Sequence, residues 1–178
     1  GRTMKNILIV VDMQKDFIYG SLGNEQTKEI VPAVVKKMNE FQGEILFTKD
    51  THEINYLKTQ EGKNLPVEHC ITHTEGWELI DELNEFQKKR NHAVYEKGTF
   101  GSTSLAEDLV RINQNEGIAS IELIGVCTDI CVVSNALLIK AFLPEVLIRV
   151  DSSCCAGVTP QKHTAALETM RSCQINVY

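Results

Sequence analysis

Short apolar runs alternate with helix-like stretches from one end of the chain to the other, and no other feature limits the possible folds so tightly. The first run, NILIVVD at residues 6–12, is β-branched, leucine-rich and nearly uninterrupted. It is too short for most helices and typical of a strand buried on both faces. Similar runs occupy EILFT (44–48), HAVYE (92–96), SIELIGV (120–126), EVLIRVD (145–151) and, more weakly, QINVY (174–178). Between them the spacing predicts helices from Gln26 to Phe41, Trp77 to Phe86, Thr103 to Asn115, Asp129 to Phe142 and Pro160 to Arg171. Such alternation predicts a parallel sheet covered by helices on both faces. With 178 residues, no internal repeat and no Pro/Gly/Ser-rich linker, a single domain over residues 4–178 is expected; Gly1 to Thr3, ahead of Met4, read as a non-native remnant.

The formal charge of −6, with Lys and Arg scattered rather than clustered, argues against a nucleic-acid or anionic-membrane surface and points to a small-molecule or protein partner. The opening GRTMKN lacks the features of a signal peptide, and no apolar run approaches the roughly 20 residues that span a bilayer. A cytoplasmic protein is expected, and its six cysteines (70, 127, 131, 154, 155, 173) are then reduced thiols rather than a disulfide framework. Homo-oligomerisation is compatible with the sequence but not specified by it.

In open parallel sheets, ligands bind beyond the C-terminal ends of the strands. Asp12 follows the first run, Asp50 and His52 the second, Lys97 the third, and Cys127 and Cys131 the fourth, so polar and reactive residues converge on one edge. A cap at Thr128 or Asp129 would place Cys131 in the first turn of a helix, where free N–H groups and the dipole favour the thiolate of a nucleophile. Buried packing is the alternative for that residue. A zinc clip with Cys127 fits poorly, because no second Cys or His pair lies nearby. Asp12 and Lys97 could be strand-end charges, yet beside a thiol they supply a proton acceptor and a stabilising cation. Asp50, His52 and His69 form a mixed O/N set suited to Zn²⁺, Mn²⁺ or Fe²⁺. For the fourth ligand Glu61 is the first choice, with Glu53 and water as alternatives. Phe17, Phe100 and Trp77 could stack on an aromatic substrate or serve the core, and Cys154 and Cys155 could line the site or only pack.

The ordered set VVDMQKDF, TKDTHE, LPVEHC, YEKGTFGST and IGVCTDICV resembles the isochorismatase-like cysteine hydrolases, and within them the nicotinamidases, over essentially the whole chain. The resemblance implies a three-layer αβα sandwich around a central, mainly parallel six-stranded sheet. It implies a triad of Asp12 as base, Lys97 as electrostatic partner and Cys131 as nucleophile. A cis Val126–Cys127 peptide is implied as well, with the backbone N–H groups of Cys127 and Cys131 as an oxyanion hole. Asp50, His52 and His69 fall on the family's metal ligands. The second histidine that some members carry after DxH is absent, and Glu61 is placed like the glutamate of others. The implied activity is metal-containing amide hydrolysis through a Cys thioester, with nicotinamide as substrate, Phe17 and Val126 beside the ring, zinc as the first choice of metal, and a place in NAD salvage. Alternatives are a related hydrolase of another amide, carbamoyl or ureido substrate, and a non-enzymatic thiol or metal sensor.

Overall fold

A computed structural model of the chain describes residues 3–178; Gly1 and Arg2, and with them most of the expected remnant, lie outside the described residues. Six strands, β1 (Lys5–Val11), β2 (Glu44–Asp50), β3 (Val94–Lys97), β4 (Ile118–Val126), β5 (Leu147–Ala156) and β6 (Asn176–Val177), form one sheet in the order β3-β2-β1-β4-β5-β6. All five pairings are parallel. The helices are α1 (Lys15–Ile18), α2 (Glu25–Glu29), α3 (Val31–Glu40), α4 (Gln60–Asn64), α5 (Asp81–Lys89), α6 (Thr103–Asn115), α7 (Val133–Phe142) and α8 (Pro160–Ser172).

Because side chains alternate across a strand, β1 feeds two cores at once. Leu8 and Val10 pack with Val34 and Met38 of α3 and Leu83 of α5. Ile7, Ile9 and Val11 pack with Leu105 and Leu109 of α6, Ala136 and Ile139 of α7, and Leu167 and Met170 of α8. That double burial is why the run carries almost no polar residue, and it makes the fold the expected αβα sandwich.

Three local expectations need correction. The helix over 26–41 is two helices: Asn24 opens α2 with a capping box, and α3 restarts at Val31 with Pro32 in its first turn, where the missing N–H costs nothing. Trp77 lies in a 3₁₀ turn (Glu75–Trp77), and the predicted helix begins only at Asp81. The segment after β4 enters through a π-helical turn, Thr128–Val132, before α7. Neither Thr128 nor Asp129 caps it. Cys127 holds the cap position without a side-chain bond, while Thr128 pairs with His163 and Asp129 accepts from the Val158 N–H.

Chain order reverses between β1 and β4: the path runs outward through β2 and β3, then returns to β4 on the other side of β1. A crevice opens at such a switch point, beyond the strand ends. Residues that follow β1 and β4 therefore face each other across it. The two strands approach closely there. Gly125 has φ +118°, and a Cβ at that position would strike the Val11 carbonyl oxygen, so only glycine fits.

Candidate active site

Asp12 leaves β1 in a left-handed conformation, φ +50°, uncommon for a residue with a side chain and fixed here by its neighbours. Its N–H donates to the Thr48 carbonyl at 3.2 Å, and the Thr48 hydroxyl donates to Asp12 Oδ1 at 2.7 Å. Lys97 Nζ then donates to Asp12 Oδ2 at 2.7 Å, to the Thr99 carbonyl at 3.2 Å and to Cys131 Sγ at 3.4 Å. All three side chains are buried. Three strand ends thus bring the carboxylate, ammonium and thiol into one contact.

Burial dominates their titration. It raises Asp12 above the ordinary carboxylate range despite the opposing charge of Lys97. Burial alone would lower Lys97, but the charges of Asp12, Cys131 and Asp50 outweigh it and hold the ammonium protonated. Burial, reinforced by Asp12, pushes the Cys131 thiol well above its ordinary value, against the attraction of Lys97. Burial penalises an anion here more than the neighbouring ammonium favours it, which works against the expected helix-start thiolate. Asp12 is beside it as a carboxylate of heightened basicity.

A second cluster lies alongside. His52 Nε2 is 2.8 Å from Asp50 Oδ2 and 3.3 Å from Glu61 Oε2; His69 Nε2 is 3.4 and 3.7 Å from the same two atoms. The four potential ligand atoms lie within 4.8 Å of one another. The His69 Nδ1 is 2.8 Å from the Val67 carbonyl, which turns Nε2 toward the cluster. Burial would raise Asp50, but hydrogen bonds from His52 and His69 and the charge of Lys97 hold it well below the carboxylate range. The donor set fits a divalent cation on charge as well as geometry. Asp12, Asp50 and Glu61 bring three formal negative charges against the one positive charge of Lys97, leaving −2 with neutral imidazoles. Asp50 Oδ1 is buried without a hydrogen-bond partner. Glu61 joins the cluster because α4 folds it back over His52; Glu53 is exposed and stands apart.

A cavity of about 50 Å³ joins the two clusters, lined in part by Phe17, Asp50, Glu61, His69, Cys127 and Cys131. The Val126–Cys127 peptide at its floor is cis, as the resemblance implied.

The isochorismatase domain model matches residues 6–178. The chain belongs to the isochorismatase family. Among relatives of this family member, the nicotinamidase of Schizosaccharomyces pombe is 28% identical over 96% of this chain and 91% of its own length. An uncharacterized isochorismatase family protein of Bacillus subtilis is 30% identical over 92% of this chain and 93% of its own. Among solved structures, the nicotinamidase/pyrazinamidase of B. subtilis superposes with TM-score 0.83 at 28% identity, covering 98% of this chain and 99% of that one. The pyrazinamidase of Pyrococcus horikoshii in complex with zinc gives TM-score 0.79 at 27% identity, covering 98% of both chains.

Within this family fold, the remaining expected residues separate. Phe17 lines the cavity and packs its ring 5.5 Å from that of His69; Phe100 also lines it. Val126 is fully buried in the core next to the cavity. Trp77 is turned away, its ring under Lys49 Nζ at 3.3 Å. Cys154 packs in the core, with its Sγ 3.6 Å from the Ala33 carbonyl, and Cys155 lines a different cavity. All six cysteines are free. Sequence reading passed over Thr48 and Gln14, although both sit inside quoted motifs. The Gln14 side chain donates to the Asp50 and Trp77 carbonyls at 2.8 and 2.9 Å and accepts from the Asp50 N–H at 2.8 Å, fixing the strand end that bears Asp50. Their only signal was position beside the motif residues.

Proposed function

We propose that this protein is a metal-containing cysteine amidohydrolase that converts nicotinamide and water to nicotinate and ammonia. The observation that carries the reading is a thiol 3.4 Å from a lysine that is itself 2.7 Å from a buried aspartate, opening onto the same small cavity as an Asp/His/His/Glu cluster. The nicotinamidase and pyrazinamidase named among its relatives support the substrate class.

Asp12 accepts the Cys131 proton as sulfur attacks the carboxamide carbon, and Lys97 offsets the charge that develops. The N–H groups of Cys127 and Cys131 hold the oxyanion. Asp12 returns the proton to the departing ammonia, which leaves a thioester on Cys131. A water, deprotonated by Asp12, then attacks the thioester carbonyl; the acid departs and the proton restores the thiol. Asp50, His52, His69 and Glu61 are the residues that would hold a metal, with Zn²⁺ the best match to two imidazoles and two carboxylates. When bound, the ion would hold the pyridine nitrogen and orient the ring beside Phe17. Such an activity belongs to NAD salvage in the cytoplasm. Among the described residues no helix is long and apolar enough to cross a membrane.

The test is ammonia release from nicotinamide by wild type and Cys131→Ala, each with and without chelator. Activity in the wild type that is lost in the variant and lowered by chelator is expected. No ammonia from the wild type at any metal loading removes nicotinamide as substrate, and a panel of other small amides, carbamoyl and ureido compounds then identifies the alternative. Activity retained by Cys131→Ala removes the nucleophile.

A further inference from the structure

Four residues after Cys131, Asn135 on α7 is fully buried, and its side-chain amide is spent entirely on backbone, one bond to the turn before it and two to a distant loop. Nδ2 donates to the Cys131 carbonyl at 2.8 Å and to the Phe100 carbonyl at 3.1 Å, and Oδ1 accepts from the Ser102 N–H at 2.8 Å. Both donors and the acceptor are used, as burial of an amide requires. The segment it grips, residues 98–102, joins β3 to α6, and two of its residues reach the proposed chemistry. Thr99 offers its carbonyl to Lys97 Nζ, and Phe100 lines the catalytic cavity and a larger outer cleft of about 520 Å³. Gly101 lies against Ser134 and Leu138 of α7, so loop and helix touch where the amide bridges them.

We propose that Asn135 is a positioning residue: its amide locks the backbone of Cys131 to the loop that bears Phe100, setting the thiol, Lys97 and the cavity wall in one register. This rests on Cys131 being the nucleophile, as proposed above. The π-helical turn Thr128–Val132 runs directly into α7, and the Asn135 amide adds a side-chain donor at the Cys131 carbonyl within it. Without the bridge the loop is free to lift, which opens the cavity and shifts Lys97 through its bond to Thr99.

The consequence is opposite signs for two rates at one sulfur. In Asn135→Ala, which suits a helix interior, kcat for nicotinamide falls by about 10²-fold, as misplacement near 1 Å produces, while alkylation of Cys131 by iodoacetamide, followed by peptide mass spectrometry, becomes faster. Asn135→Asp keeps the acceptor for Ser102 but presents oxygen to two carbonyls, and shows the same pair of changes. Zinc content and the circular-dichroism spectrum stay as in wild type. A residue that served stability alone would lower Tm and leave kcat per folded molecule unchanged. Unchanged kcat or unchanged alkylation in folded Asn135→Ala overturns the proposal; if that variant does not fold, Asn135→Ser carries the same measurement. Should wild type release no ammonia from nicotinamide, the substrate reading fails separately, and the alkylation rates alone decide whether Asn135 positions the sulfur.

Discussion

Two buried charge clusters share this sheet, and they are built on opposite principles. Around Glu122, Lys37 Nζ lies 2.7 Å from Glu122 Oε2 and 2.9 Å from Asp151 Oδ2, and Arg149 Nε is 3.8 Å from Glu122 Oε1. Tyr178 donates to Glu122 Oε1 at 2.8 Å and accepts from Lys37 at 2.8 Å. Two carboxylates meet two cations, so the cluster is neutral and joins α3, β4, β5 and the residue after β6. At the strand ends, by contrast, three carboxylates share one lysine, and a thiol is kept protonated beside them. The first arrangement balances its charges from within. The second is completed by something from outside, which is what separates a structural network from a site.

The largest effect should come from the nucleophile. Cys131→Ala is expected to lower kcat/KM for nicotinamide by about 10⁴-fold or more at unchanged fold, whereas no substitution in the Glu122 cluster should change kcat per folded molecule. An active Cys131→Ala, measured by ammonia release, would break the comparison. Next come the two lysines. Lys97→Met leaves Asp12 buried and unpaired and should cost about 3–5 kcal/mol in urea unfolding together with activity. Lys37→Met should cost about 3 kcal/mol and leave turnover intact.

Zinc separates the clusters a third way. Binding only the folded state at a hundredfold excess over Kd adds about 2.7 kcal/mol, so thermal unfolding should shift upward for wild type and Lys37→Met alike. His52→Ala should lose the shift, and a shift of wild-type size in that variant would remove the Asp/His/His/Glu cluster as the binding site. The smallest effect is in acid. Burial would raise Asp151, but hydrogen bonds from Lys37 and Ser153 outweigh it and hold its pKa below 3.8. A lowered folded pKa means stability that is full above the unfolded value and lost as pH falls through the folded one. Asp151→Asn should therefore flatten the stability loss below about pH 4, and an acid limb unchanged from wild type would show that this bridge contributes nothing.

Much of this was legible in the chain. Uninterrupted apolar runs have one comfortable home, between two helical layers, so six runs implied a parallel sheet and placed Asp12, Asp50, Lys97 and Cys131 at its edge. Metal-ligand types at Asp50, His52 and His69 were equally readable, because their chemistry resides in the side chains themselves. What the sequence by itself determined was thus the set of elements and the inventory of reactive groups. Tertiary structure alone decided the rest. Strand order put β1 beside β4, which no local pattern encodes, and that adjacency brings Asp12 to Cys131. Glu61, the first choice for a fourth ligand on the sequence alone, meets His52 only because α4 folds over it, and Asn135 looked like an ordinary helix residue until its amide met a loop 35 positions earlier. The upward shift of the Cys131 thiol comes first from burial, a property of the assembled site and not of any segment.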